Sequence, residues 1–348
     1  MVAKGLCTGR HPIELSANLP AARPYRGGSG IGAFRRLPIP DEYRPEDFLA
    51  STTEVFSGGG VGLTVLPDGR TLREAIADDA ESWLGPDHVA QWGADPQLLV
   101  KLLHTGERLF VHYHPDAEFA RARLGRSRGK TEAWVVLDAP DDGYALLGFA
   151  RDMTLEQLTG WVAEQRLDEL TGALNRVPLR RGDTLLVPAG IPHAIGPGIT
   201  LVELQEPVDV SILLEYRSFG LDEHTAWLGL DLAAALSGLE LGGYDATALD
   251  RLKGRPSQGS AFPASADPLF HAELVESDGE GATVHGYAVV IVTAGQGELG
   301  PLAVRRGSCV LVPFGAGELA LTGRLRALIC RPGCSPASAA AASAPATG

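Results

Sequence analysis

The sequence predicts a mainly β chain, built as two related β-barrels with a helical insertion and a helical linker. Runs such as LLVKLL, RLFVHYH, EAWVVLD and YALLGFA are short, apolar or alternating, and separated by turn residues, the pattern of strands in a sandwich or barrel. RRGDTLLVPAG at residues 180–190 returns as RRGSCVLVPFG at 305–315, so one β-unit occurs twice. TLEQLTGWVAEQRLDELTGAL interrupts the first set of strands with apolar residues at helical spacing.

Residues 1–70 are rich in Gly and Pro and read as irregular strands and loops. TLREAIADDAESWLGPDHVAQW follows, with the periodicity of one or two short helices. After the insertion the strands resume in DTLLVPAG, ITLVELQE and VSILLEY. A helical segment over 223–239 then leads into a Gly/Pro/Ser-rich stretch near 254–268, the natural boundary. The expected division is a first domain over 1–222, a helical segment and linker over 223–268, a second barrel over 269–332 and a disordered Ala/Ser/Pro tail over 333–348.

Lys and Arg number 30 against 43 Asp and Glu, a net charge of −13. This argues against a broad grip on nucleic acid or an anionic membrane and favours a small-molecule ligand. The four cysteines form no CxxC pair and lie apart from the histidine cluster, as free thiols of a reducing compartment do. No signal-peptide core and no bilayer-length apolar run is present, so a cytoplasmic protein is expected.

The chemistry concentrates in VHYHPD, GKTEAWVVL and VPAGIPHAIG. One residue separates His112 from His114, which on a strand puts both imidazoles on the same face. Glu132 opens the next strand, and His193 closes a turn shaped by Pro188 and Gly190. Three neutral nitrogens and a carboxylate suit one divalent ion, with Zn²⁺, Mn²⁺, Fe²⁺, Co²⁺ and Ni²⁺ all compatible. In the second β-unit Glu318 stands where the first has His193, and no HxH pair precedes it, which marks a degenerate, structural barrel. The glycine-rich GGSGIGA at 27–33 follows no apolar strand and precedes no helical pattern, so it is not expected to cradle phosphate.

In these ordered motifs, together with ITLVELQEPVD, the chain resembles type I mannose-6-phosphate isomerase, a family of the cupin superfamily. The resemblance implies cupin-type (jelly-roll) barrels and a metal, usually zinc, on His112, His114, Glu132 and His193. It also implies that Lys130, Glu203 and Asp209 line the substrate cleft. His112 stands where the family commonly has glutamine, giving a ligand set shared with germin-like cupins and cupin dioxygenases. Leu213 stands where the family has an active-site arginine, for which Arg217 is the nearest replacement.

The expected activity is interconversion of mannose 6-phosphate and fructose 6-phosphate by proton transfer, with a small-molecule sugar or sugar phosphate as partner and no nucleic acid or membrane. Glu203 is the candidate base and Lys130 the group that polarises an oxygen. Lys130, Arg217 and Arg26 are the cations available for a phosphate. A mononuclear iron oxygenase and a non-catalytic sugar-binding bicupin remain the alternatives.

Overall fold

Alternation along the strands decides which side chains reach the site. In the computed structural model, which describes residues 6–21, 23–254, 260–279 and 281–333, the first β-unit consists of two five-stranded antiparallel sheets. One runs in the order Glu46–Leu49, Leu99–His104, Thr200–Gln205, Glu132–Asp138, Thr184–Val187. The other runs Ile212–Leu213, His112–Tyr113, His193–Ile195, Tyr144–Phe149, Leu174–Pro178. The chain is mainly β, with the antiparallel sheets of a cupin-like fold.

In the first sheet, period-two alternation sends Lys101, Leu103, Trp134, Val136, Leu201 and Glu203 to the interior. Val100, Leu102, Ala133, Val135, Val202 and Leu204 point the other way, into a second core. The register places Glu203 between Lys101 and Trp134 on its two neighbouring strands.

That second core joins the two β-units. It packs Val100, Val135 and Val202 from the first unit with Phe270, Ile291, Leu311 and Leu328 from the C-terminal one. The C-terminal unit is a seven-stranded antiparallel sheet whose main path is Ile13–Glu14, Cys309–Val312, Ala288–Leu299, Leu319–Pro332, Phe270–Asp278. The N-terminal segment therefore contributes an edge strand to the far unit, Ile13 pairing with Leu311, although sequence order alone assigns it to the first.

The repeat is visible in the backbone. Gly182 N–H donates to the Val136 carbonyl and Gly307 N–H to that of Val292, while the Val136 and Val292 N–H groups donate back to Asp183 and Ser308. Asp183 Oδ2 accepts from Arg180 N–H as Ser308 Oγ accepts from Arg305 N–H. Both glycines adopt the left-handed conformation, with φ of 90° and 93°, which explains why each RRG turn carries glycine there.

The helical insertion forms Leu155–Glu164 and Leu167–Gly172, the first opened by a Thr154/Gln157 capping box. The 71–92 stretch breaks into three short helices, Leu72–Asp78, Ala80–Leu84 and Pro86–Trp92, because Asp79 caps the second and Gly85 with Pro86 restarts the chain for the third. The 223–239 stretch gives Glu223–Ala226 and Leu232–Leu236. Against expectation, GGSGIGA leads into a short helix, Gly30–Arg35, that buries Ile31 and Phe34. Its glycines serve packing, since a Cβ at Gly28 or Gly30 would meet the His104 ring at under 3.0 Å. The tail from 334 onward, including Cys334, lies outside the described residues. No described helix is long and apolar enough to cross a membrane.

Phe270 is fully buried in the shared core, edge-on to Phe262 at 6.0 Å. Phe270→Ala should cost about 3–5 kcal/mol. Guanidinium unfolding followed in both units should show one shifted transition. A C-terminal unit that melts early while the first keeps its midpoint would show that the shared core does not couple them.

Candidate metal centre

His112 and His193 face each other across adjacent strands of the second sheet, in direct register. His114 continues on the same face just past the strand. The ring centroids lie 4.1 Å (His112–His193), 4.9 Å (His112–His114) and 5.0 Å (His114–His193) apart. One nitrogen from each falls within 4.8 Å of the others, and all three rings are buried.

Each ring is held by its Nδ1, 3.0 Å from the Phe110 carbonyl for His112, 2.8 Å from that of Val210 for His114 and 2.9 Å from that of Ile191 for His193. A carbonyl can only accept, so each Nδ1 carries the proton and each Nε2 keeps a lone pair for the interior. Burial drives the His112 imidazole well below its usual range, and its two histidine neighbours add to this. His114 is pushed down to about 3 by burial and by the Lys130 ammonium. Both are neutral at physiological pH, the form that ligates.

Glu132 closes the set from the opposite sheet. Its Oε2 lies 2.9 Å from His114 Nε2 and its Oε1 3.4 Å from His193 Nε2. Trp134 Nε1 donates to Oε1 at 3.0 Å and fixes the carboxylate plane. Burial works against ionisation, but the Lys130 charge together with the contacts to His114 and His193 holds the carboxyl well below the usual range.

These residues fit a divalent ion. His193 Nε2 is buried with no hydrogen-bond partner, a cost of about 1–3 kcal/mol that a cation at this point would relieve. His114 Nε2 faces the Lys130 ammonium at 3.0 Å, which also sits 2.8 Å from Glu132 Oε2.

The rest of the cavity is a buried charge network, in which Lys130, Glu203 and Asp209 are joined by Arg23, Glu46 and Lys101. Lys130 reaches Glu203 at 3.3 Å. Lys101, only 1% exposed, lies 3.3 Å from Glu46, 3.6 Å from Asp209 and 3.8 Å from Glu203. Arg23 grips Asp209 with two hydrogen bonds of 3.0 and 3.1 Å and pairs with Glu46. Burial raises the Glu203 carboxyl and Glu132 raises it further, against Lys130 and Lys101. Burial also opposes Asp209 ionisation, but Arg23 and Lys101 hold that carboxyl down.

Of the residues singled out from the sequence, His112, His114, Glu132, His193, Lys130, Glu203 and Asp209 all line this one cavity. Arg217 does not. It sits in the turn Arg217–Phe219 beyond the barrel strand, about half exposed, paired with Glu223 at 3.2 Å and bonded to the Ala163 carbonyl. Arg26 also stays outside, half exposed and clamped by Glu107. Leu213 is buried beside His112 in the strand register. Arg23, Tyr25, Glu46, Lys101 and Ser211 line the cavity without having been singled out. Lys101 had a signal, a lysine at a core-facing position of LLVKLL; Arg23, in an irregular segment, had none.

No family model matches the chain. Among curated proteins it is similar to the mannose-6-phosphate isomerase ManA of Bacillus subtilis, 36% identical over 129 residues, 37% of this chain and 38% of that protein. It is also similar to the mannose-6-phosphate isomerase of Streptococcus mutans, 35% identical over 125 residues, 36% of this chain and 37% of that protein. The aligned stretches span less than half the length of these relatives. The fold likeness is wider. The mannose 6-phosphate isomerase structure from B. subtilis superposes with a TM-score of 0.70 at 20% identity, covering 92% of this chain and 99% of that one. A variant phosphomannose isomerase from Salmonella typhimurium gives 0.69 at 12% identity over 92% and 100%. The chain is thus a cupin-like β protein. Its more particular likeness, in sequence and in fold, is to mannose-6-phosphate isomerases.

His193→Ala removes one nitrogen donor and leaves the fold's strands intact, so equilibrium dialysis against Zn²⁺ or Mn²⁺ should show at least a tenfold loss of affinity. Undiminished stoichiometric binding would place the ion elsewhere.

Proposed function

We propose that this chain is a metal-dependent aldose–ketose isomerase that interconverts mannose 6-phosphate and fructose 6-phosphate. The observation that carries this is the placement of a relay of buried carboxylates and ammonium groups directly against the His112, His114, Glu132 and His193 donors. The named relatives support the substrate. A divalent ion on those four residues, zinc in our reading, would supply stabilisation of the negative charge that builds on the sugar oxygens at C1 and C2.

The remaining work falls to the chain's own groups. Isomerisation moves one proton from C2 to C1 of the open-chain sugar and one between the two oxygens. Glu203 takes the carbon-bound proton. Its carboxyl is raised by burial and by Glu132, so it accepts and releases a proton more readily near neutrality than an exposed glutamate does. Lys130, 3.3 Å from Glu203, orients that carboxylate and donates to a sugar oxygen. Asp209, fixed by Arg23, binds a sugar hydroxyl as a permanent anion.

Space sets a further condition. The cavity at the histidines has room for only about 40 Å³, the scale of water molecules. Asp209 also faces an adjoining cleft of about 380 Å³, within the range of small-molecule sites. The sugar body occupies this cleft with its reacting end at the histidines. Arg126, stacked on Phe56 at 4.9 Å, is the cleft cation we assign to the phosphate.

A mononuclear iron oxygenase would use the same donor set, but a wall of alternating charges suits a polyhydroxylated anion better. We also read the C-terminal sheet as the degenerate second barrel, and the first unit with its helices as the catalytic domain, which the repeated RRG turns support. The buried thiols Cys309 and Cys330 suit the cytoplasm.

Two measurements test the function. Glu203→Gln should lower kcat about 10²–10⁴-fold while metal content is unchanged. Paired kinetics should give mannose 6-phosphate a much higher kcat/KM than free mannose; equal values would remove the phosphate from the assignment.

A further inference from the structure

The RRG turns that mark the repeat have no part in the metal site, yet they meet across a cavity of about 430 Å³ between the two β-units. Arg181 comes from the first turn and Arg306 from its counterpart in the second, and the strands to which those turns are bonded supply Val135–Leu137 on one side and Thr293–Ala294 on the other. Phe34 and Leu274 extend the apolar lining, and Leu274 is 36% exposed.

The charge of this groove opposes that of the molecule. Arg181, Arg306 and Arg326 line it against a single carboxylate, Glu276, on a chain of net charge −13. Glu276 pairs with Arg326 at 3.0 Å in an exposed contact, and Arg181 donates through Nε to the Leu137 carbonyl at 2.8 Å while approaching Asp138 loosely at 3.8 Å. Arg306 is steadied by the Ala33 carbonyl and by the Phe34 ring at 5.1 Å. Exposed pairs of this kind contribute little, so their guanidinium groups exchange readily to a ligand. Arginine's planar fork matches phosphate oxygens two at a time.

We propose that this groove is a second ligand site, separate from the metal centre, that takes a small organic phosphomonoester with an apolar body. The two repeat arginines hold the dianionic head and the Leu137–Leu274–Val275 surface takes the body. Both units contribute, so the ligand bridges them.

Phenyl phosphate is the probe, titrated calorimetrically into the full-length protein with inorganic phosphate and phenol as controls. Saturable binding is expected, at least tenfold tighter than either control. The exposed change Arg181→Gln, combined with Arg306→Gln, should weaken it at least tenfold, while His193→Ala leaves it unchanged. Arg181→Gln alone, on a 67% exposed side chain, should show a smaller loss in the same direction and guards against misfolding of the double variant. Absence of saturable binding overturns the proposal. So does loss of binding in His193→Ala with none in the arginine variants, which would send the probe to the metal centre. Inorganic phosphate binding as tightly as phenyl phosphate would mean an adventitious ion only.

Discussion

Seven carboxyl, ammonium and guanidinium groups share one buried cavity, and their mutual neutralisation is the constraint on which the first β-unit depends. Glu46, Glu132, Glu203 and Asp209 face Arg23, Lys101 and Lys130. An unpaired charge at this depth is costly, and removing one partner of a buried pair typically costs about 3–5 kcal/mol. The strands therefore have to hold a register that keeps each charge opposite its partner. The cross-strand match of Glu203 with Lys101 does this, and the clasp of Arg23 on Asp209 ties the irregular N-terminal segment to the barrel.

With all seven groups ionised, the network carries one more negative charge than positive. A dication at the histidines would reverse the sign, and the same cavity would then favour an anionic ligand. Occupancy by a cation and affinity for an anion are thus linked through one electrostatic balance. The neutral imidazoles of His112 and His114 contribute no charge, and the Nδ1 bonds of all three rings to backbone carbonyls turn their Nε2 atoms inward. Within the network, burial and the neighbouring Glu132 carboxylate push the Glu203 carboxyl upward against Lys130 and Lys101, whereas Glu132 and Asp209 are held down by the cations beside them.

How much of this the sequence disclosed follows from locality. HxH, the glutamate after GKT and the histidine after PAGIP each sit on a short motif; strand periodicity aims His112 and His114 at one face, while His193 joins them by cross-strand register and Glu132 from the opposite sheet. Glu203 and Asp209 came through likeness to a family, and Lys130 did too. Arg217 failed because proximity in sequence to a barrel strand does not survive the turn at Arg217–Phe219, which carries the side chain outside. Arg23 was hidden for the opposite reason: it is 186 residues from Asp209 and lies in a segment with no periodicity. The N-terminal edge strand on the far sheet is a pairing of the same non-local kind.

The repeat shows how one sequence pattern serves two ends. RRG needs glycine because the turn goes left-handed at that residue, and the following strand needs its apolar run to enter a core. Those requirements account for the glycines and the valines of both copies. They do not account for an arginine before each glycine, since neither Arg181 nor Arg306 is buried or bound to the turn it belongs to. Both instead line the cleft between the units, where an acidic protein gains nothing from gathering cations except affinity for an anion.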